Sequence, residues 1–219
     1  NDFQNINNGS RDRFDIFSEW ARSWDSSLLT SFGLRYGQVR SNTDDVHGYQ
    51  DSNGMGSMMH YYKRDSDSFN ASKKSKVDHN IDASLLAEFI QSEILSYEMG
   101  YALKNRSPNL YERYTWSTWT MAANMNNTYG DGNGYVGNLD LDPETSHTIS
   151  FTADFHDSSR SISLIRVTPY FTYVDDYIDA VACSKVGKTC PSRSDGFSNL
   201  SFKNQSAKIY GFDLSAYQL

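Results

Sequence analysis

Residues 148–156 alternate without a break. Ile149, Phe151, Ala153 and Phe155 fall on one side, and Thr148, Ser150, Thr152, Asp154 and His156 on the other. Successive side chains of a strand point to opposite faces, so the segment predicts a sheet with one apolar and one polar face. The same period recurs over 11–24, 27–40, 77–89, 95–103, 162–174 and 201–219. These stretches predict an all-β chain of about seven antiparallel strands.

The connections sort by length. Short turns fall at 25–26, 91–92 and 157–160, and long polar stretches span 41–76, 105–143 and 175–197. Compact domains prefer loops of about four to six residues, and structureless ones beyond ~15 are uncommon. Outer-membrane barrels instead pair short periplasmic turns with long external loops. The chain therefore reads as a transmembrane β-barrel segment with long extracellular loops, the strands before Ser41, Asn105 and Asp175 running outward. A soluble seven-stranded sandwich also alternates in and out. It would not sort its loops this way, nor place Trp20, Trp24, Tyr36, Tyr101 and Tyr173 near strand ends, where interfacial girdles sit.

Composition fits the barrel. No run approaches the ~20 apolar residues of a membrane helix, and mean hydropathy is −0.64. Barrel strands hide from such averages because every second residue is polar. A net charge of −7 argues against nucleic acid, whose binders carry basic stripes. The chain opens at Asn1 without a signal-like segment and stops at Leu219 inside a strand pattern. Residues 1–219 are accordingly read as one partial barrel domain of a longer protein, with two open edges that favour aggregation when isolated. Enzyme signatures are not found: there is no nucleophile elbow, His-Glu-x-x-His or phosphate-cradling loop.

Cys183 and Cys190 lie in the third long loop, in a polar Lys/Gly/Ser setting. Two cysteines in a loop of a secreted chain most simply close a disulfide. A metal pair is the sharper alternative, but no second Cys or His pair stands beside it.

Two motifs carry a family resemblance. Arg106-Ser107-Pro108-Asn109-Leu110-Tyr111-Glu112 follows an outward strand, and Gly137-Asn138-Leu139-Asp140-Leu141-Asp142-Pro143-Glu144 opens an inward one. They resemble the R-[AS]-P-N-[LI]-Y-E and G-N-x-x-L-x-P-E signatures of TonB-dependent outer-membrane receptors. Phe32–Tyr36 and Ala207–Leu214 are similar to further strands of that family. The resemblance implies a bacterial outer-membrane barrel of 22 strands with a plug in its lumen. This chain supplies about seven of the strands, and neither the plug nor the TonB-contacting segment. It also implies uptake of a metal or metal chelate with energy passed through the TonB complex of the inner membrane. The partners implied are thus TonB, outer-membrane lipid and a small metal-containing ligand, with no resident cofactor. Locally, the motifs are expected to fix loop-to-strand geometry, with Arg106 pairing with Glu112.

The long loop through Trp116, Met121, Met125 and Tyr135 resembles the copper-receptor subgroup more narrowly. Thioether and imidazole donors suit soft Cu(I). Met58, Met59 and His60 in the first loop are the candidate metal ligands. Met121 and Met125 sit at helical spacing, and with Trp116 and Tyr135 they complete the candidate ligand-binding set. Packing is the plainer role for each methionine. Siderophore-iron uptake is the alternative within the family, and a β-sheet surface adhesion module using its Tyr/Trp-rich loops is the alternative from another class. The run Asp131-Gly132-Asn133-Gly134 fails the calcium-loop pattern and reads as a turn.

Overall fold

Eight strands form one sheet in a computed structural model that describes residues 4–47, 56–157 and 163–217, the side chains of 56–62 and 163–164 excepted. They are β1 (Ser10–Ser23), β2 (Leu28–Asn42), β3 (Lys76–Ser92), β4 (Leu95–Arg106), β5 (Gly134–Val136), β6 (Glu144–His156), β7 (Ser163–Ala182) and β8 (Asn199–Ala216). Their spatial order is β1-β2-β3-β4-β6-β7-β8-β5. The seven long strands pair antiparallel with their neighbours, as the alternation predicts, and only the three-residue β5 runs parallel, along the start of β8. Among the described residues the sheet does not close. The free side of β1 and most of that of β8 remain edges.

Register shows why the sequence alternates. Trp20, Phe32, Leu85, Tyr101, Ile149, Phe171 and Tyr210 stand opposite one another, one from each long strand. All seven are exposed. Burying such a side chain is worth roughly 1.5–3 kcal/mol, so an uncovered row of them implies an apolar surrounding. One residue along, the opposite face carries Ala21, Ser31, Leu86, Gly100, Ser150, Tyr170 and Gly211 in the same register. A Cβ on Gly100 would come within 2.8 Å of Ser150 Oγ, so glycine permits the close approach of β4 and β6 on this face.

The apolar face ends in polar aromatics. Tyr36 Oη lies 2.7 Å from His79 Nδ1, and Tyr101 Oη lies 2.9 Å from His147 Nδ1. Each pair is diagonal across neighbouring strands, near the loop-bearing end. Trp20 and Trp24 meet edge to face at 6.4 Å toward the other end.

The turn at Asp25-Ser26 is where the sequence puts it. Asp25 Oδ1 accepts from the amides of Ser27 and Leu28 at 2.6 and 2.9 Å. The turn between β3 and β4 lies two residues later than 91–92, at 93–94, because β3 runs to Ser92 through a register shift. The turn expected at 157–160 and the strand start at Ile162 fall largely outside the described residues, as does the end of the last strand.

The third loop needs correction. It was expected over 175–197, but β7 continues to Ala182 and β8 begins at Asn199. The break in alternation at Asp175-Asp176 is a bulge: Val174 pairs with Ala207, and the next partners are Tyr177 and Gln205. Asp176 takes the left-handed conformation (φ 55°), which Asp tolerates better than most residues. Ile178 then turns inward against Phe202.

The other two long loops hold helices the alternation could not reveal. They are α1 (Gly56–Asn70), α2 (Leu110–Tyr114) and α3 (Thr120–Asn124). In α1, Ser, Asp and Asn dilute any apolar stripe and are weak helix formers, so the segment reads as polar loop. All three loops meet at one end of the sheet. Val46, Phe69, Tyr114, Trp116 and Ala122 form one buried cluster there, and Tyr135, Leu141, Ile178 and Phe202 form a second.

Candidate functional site

The loop cap is built on the two sequence motifs, and each motif residue has a mechanical job. Asn109 caps α2: its Oδ1 accepts the Glu112 amide at 2.8 Å, and Glu112 Oε2 accepts the Asn109 amide at 2.7 Å. This reciprocal box satisfies two amides that a helix start otherwise leaves open. Pro108, fully buried, precedes the cap, and Tyr111 stays exposed.

The second motif closes on the first. Arg106 bonds Glu112 through Nη1 at 3.0 Å, and Glu144 through Nε and Nη2 at 2.6 and 2.8 Å. One guanidinium thus ties the end of β4 to the helix cap and to the first residue of β6. Glu144 also accepts the Ile178 amide at 2.8 Å. Burial opposes ionisation of Glu144, but the bonds from Arg106 and Ile178 outweigh it and hold the carboxyl below its ordinary value. Gly137 donates to Thr115 O at 2.7 Å, and the Asn138 amide donates to Glu112 O at 2.8 Å. A Cβ on Gly137 would lie 2.8 Å from the Arg113 carbonyl, so glycine permits this approach. Asn138 Nδ2 donates to Phe202 O at 3.0 Å, which anchors the motif on β8. Pro143 stands just before β6, where a missing amide donor costs nothing.

Beneath the clasp lies a buried ion pair. Arg113 Nη1 and Nη2 meet Asp78 Oδ2 and Oδ1, both at 2.7 Å, while Nη2 also donates to Leu141 O at 3.0 Å. Tyr114 adds bonds to Ser41 Oγ and Lys74 O. Ser41 of β2, Lys74 before β3, Asp78 of β3 and Leu141 of the second motif thus converge on α2.

The candidate ligand residues are dispersed. Met58, Met59 and His60 lie on α1, but their side chains are outside the description. Met121 is in α3 and Met125 caps its C-terminus, both exposed. Trp116 is buried in the first cluster, its Nε1 donating to Gln4 O at 2.8 Å. Tyr135 is buried in the second, stacked on Phe202, with its hydroxyl donating to Asp131 at 2.6 Å. Burial and that carboxylate raise the Tyr135 hydroxyl above its usual value. Both rings are therefore committed to packing. Asp131 and Asn133 form a side-chain-closed turn with Gly132 at φ 84°, the geometry expected for this run. Among the described residues, no three His, Cys, Asp or Glu gather as a metal site.

Cys183 and Cys190 are joined, with Cα atoms 6.0 Å apart. The bond closes a loop around a 3-10 turn, Cys183–Val186. Lys188 projects from that loop into a cavity of about 410 Å³ between α1, the residues after α2 and the Gly137 motif. The sequence reading missed both the cavity and Lys188, because a lone loop lysine carries no local signal of what surrounds it.

A one-sided sheet, an apolar face exposed along a single register and a loop cap gathered at one end define a segment of membrane-barrel wall. The model of the family described as TonB dependent receptor-like, beta-barrel matches residues 1–219, and the chain belongs to this family. Among solved structures it is similar to a double mutant of the Serratia marcescens hemophore receptor HasR in complex with its hemophore HasA and heme, at 16% identity and a TM-score of 0.60. It is also similar to the copper transporter OprC, at 14% identity and a TM-score of 0.61. Each likeness covers 94% of this chain, which spans 31% and 25% of the respective structures' chains. At such identity they speak for the fold. No curated protein sequence matches the chain.

Proposed function

We propose that this chain forms part of the barrel wall and extracellular loop cap of a bacterial outer-membrane receptor that imports a metal-containing ligand. Transport draws on energy delivered through TonB from the inner membrane, and the chain acts as a receptor and carries no enzymatic step. The observation that supports this reading most directly is the seven-residue apolar row left exposed along one register, opposite a row of mixed character that includes Ser31 and Ser150. Water disfavours the first face, and a plugged lumen suits the second.

Copper is the cargo this reading favours, with Met58, Met59 and His60 as contacts and the exposed Met121 and Met125 as outer donors. The test is elemental mass spectrometry of the full receptor purified from outer membranes, with and without added copper. Near-stoichiometric copper that disappears in a Met58→Ala, Met59→Ala, His60→Ala variant supports the cargo. Iron in place of copper returns it to a siderophore or another chelate. Recovery in the soluble fraction overturns the receptor reading itself.

A further inference from the structure

We propose that the cavity beneath the disulfide loop is a binding site for a small oxyanion, a carboxylate or phosphate group held by Lys188. Lys188 and the cavity lining define the site, whichever cargo the receptor carries.

The cavity holds three cations with different degrees of compensation. Arg113 is matched by Asp78. Arg64 grips Asp65 through Nε and Nη2 at 2.9 and 2.6 Å and also reaches Thr118 Oγ1 at 2.7 Å. Asp65 is occupied further by the Thr118 amide and hydroxyl, at 2.6 and 2.7 Å. Lys188 differs. Its ammonium donates to the Gly137 carbonyl, and among the described residues no carboxylate forms an ion pair with it. An ammonium carries three donors, so two remain for a ligand.

The lysine is also held in place. Its amide donates to Cys183 O at 2.9 Å, and Gly187 reverses the chain just before it at φ 71°. The disulfide fixes the same turn from the other side. A cation pre-positioned this way loses little freedom on binding. Burial pushes the Lys188 amine down to about 8, against the opposing influence of Asp65 and Asp140. A bound anion would relieve that cost by pairing with the charged form. Phe69, Trp116 and Leu139 supply apolar wall, and the volume falls within the ~300–1,000 Å³ of small-molecule sites.

The experiment uses the full receptor in detergent at pH 7, with inorganic phosphate and malonate as probes. Each is tested by equilibrium dialysis with radiolabelled anion, and by protection of Lys188 from acetylation with exposed Lys185 as the internal reference. Saturable binding of at least one anion is expected, with selective protection of Lys188. Binding should weaken about tenfold or more in Lys188→Gln, the scale of a lost hydrogen bond to a charged group, and persist in Lys188→Arg. Malonate alone assigns a carboxylate site, and phosphate alone a phosphate site. If neither anion protects Lys188 in the unmodified receptor, the proposal is wrong whether or not the variants fold. Equal binding by Lys188→Gln and the parent overturns it as well.

Discussion

Arg113 of α2 meets Asp78 of β3 in a two-point ion pair whose side chains are 2% and 7% exposed. A charge of the loop cap is thereby sunk into the rim of the barrel wall. Removing one partner of a buried pair strands the other charge, at roughly 3–5 kcal/mol. Arg113→Ala and Asp78→Ala should each make the second loop open to proteolysis in detergent while the strands stay protected. The double variant should be less damaged than the sum of the singles. Additive effects would show that the pair is not coupled.

The Arg106 clasp gives a pH dependence with a defined sign. Glu144 is held below its ordinary value in the folded state. Its contribution is therefore full above the unfolded value of 4.5 and is lost as pH falls through the lower folded value. Amide exchange in the second loop should stay slow from neutral pH down to about 4.5 and then, corrected for intrinsic rates, accelerate. Glu144→Gln should exchange faster already at neutral pH and lose that acid step. An unchanged profile in the variant would assign the transition to another carboxyl.

Reducing the disulfide should free the third loop without dissolving the sheet. The chain-entropy relation for a loop this short gives about 2.5 kcal/mol, and the constraint released is that of the Cys183–Cys190 loop that carries Lys188. A non-reducing peptide map should recover Cys183 and Cys190 as one linked peptide. After reduction, acetylation of Lys188 should rise while Lys104, on the barrel wall, stays unchanged.

Leu85 and Ser84 are neighbours on opposite faces of β3, and a lysine distinguishes them. Leu85→Lys places a charge in the exposed apolar row, at a cost of up to roughly 2–4 kcal/mol, the bilayer-midplane value. Ser84→Lys points to the polar face and should be tolerated far better. Folding yield into lipid vesicles measures the difference, and equal yields would deny that the row faces lipid.

Much of this was written locally. Period two fixes which residues share a face, and six of the seven long strands follow from it within a few residues; β7 runs eight residues past its expected end, beyond the bulge. The Asp25 turn and the Asn109–Glu112 box are equally local, because each bond joins residues two or three positions apart. The cysteine pairing was readable from spacing and setting.

The tertiary structure decided what depends on contacts distant in the chain. Arg106 reaches Glu144 across 38 positions, Arg113 reaches Asp78 across 35, and Lys188 reaches Gly137 across 51. No periodicity encodes these meetings. The bulge at Asp176 turned an expected loop into strand because pairing with β8 resumes beyond it. Trp116 and Tyr135 drew attention as loop aromatics, yet packing claimed both rings. Sequence alone settled which face the residues of the regular strand stretches occupy, up to the bulge at Asp176, since side-chain direction there is a property of the local backbone. Which loop charges are matched, and that Lys188 has no carboxylate ion pair among the described residues, emerged only when the three loops met over one end of the sheet.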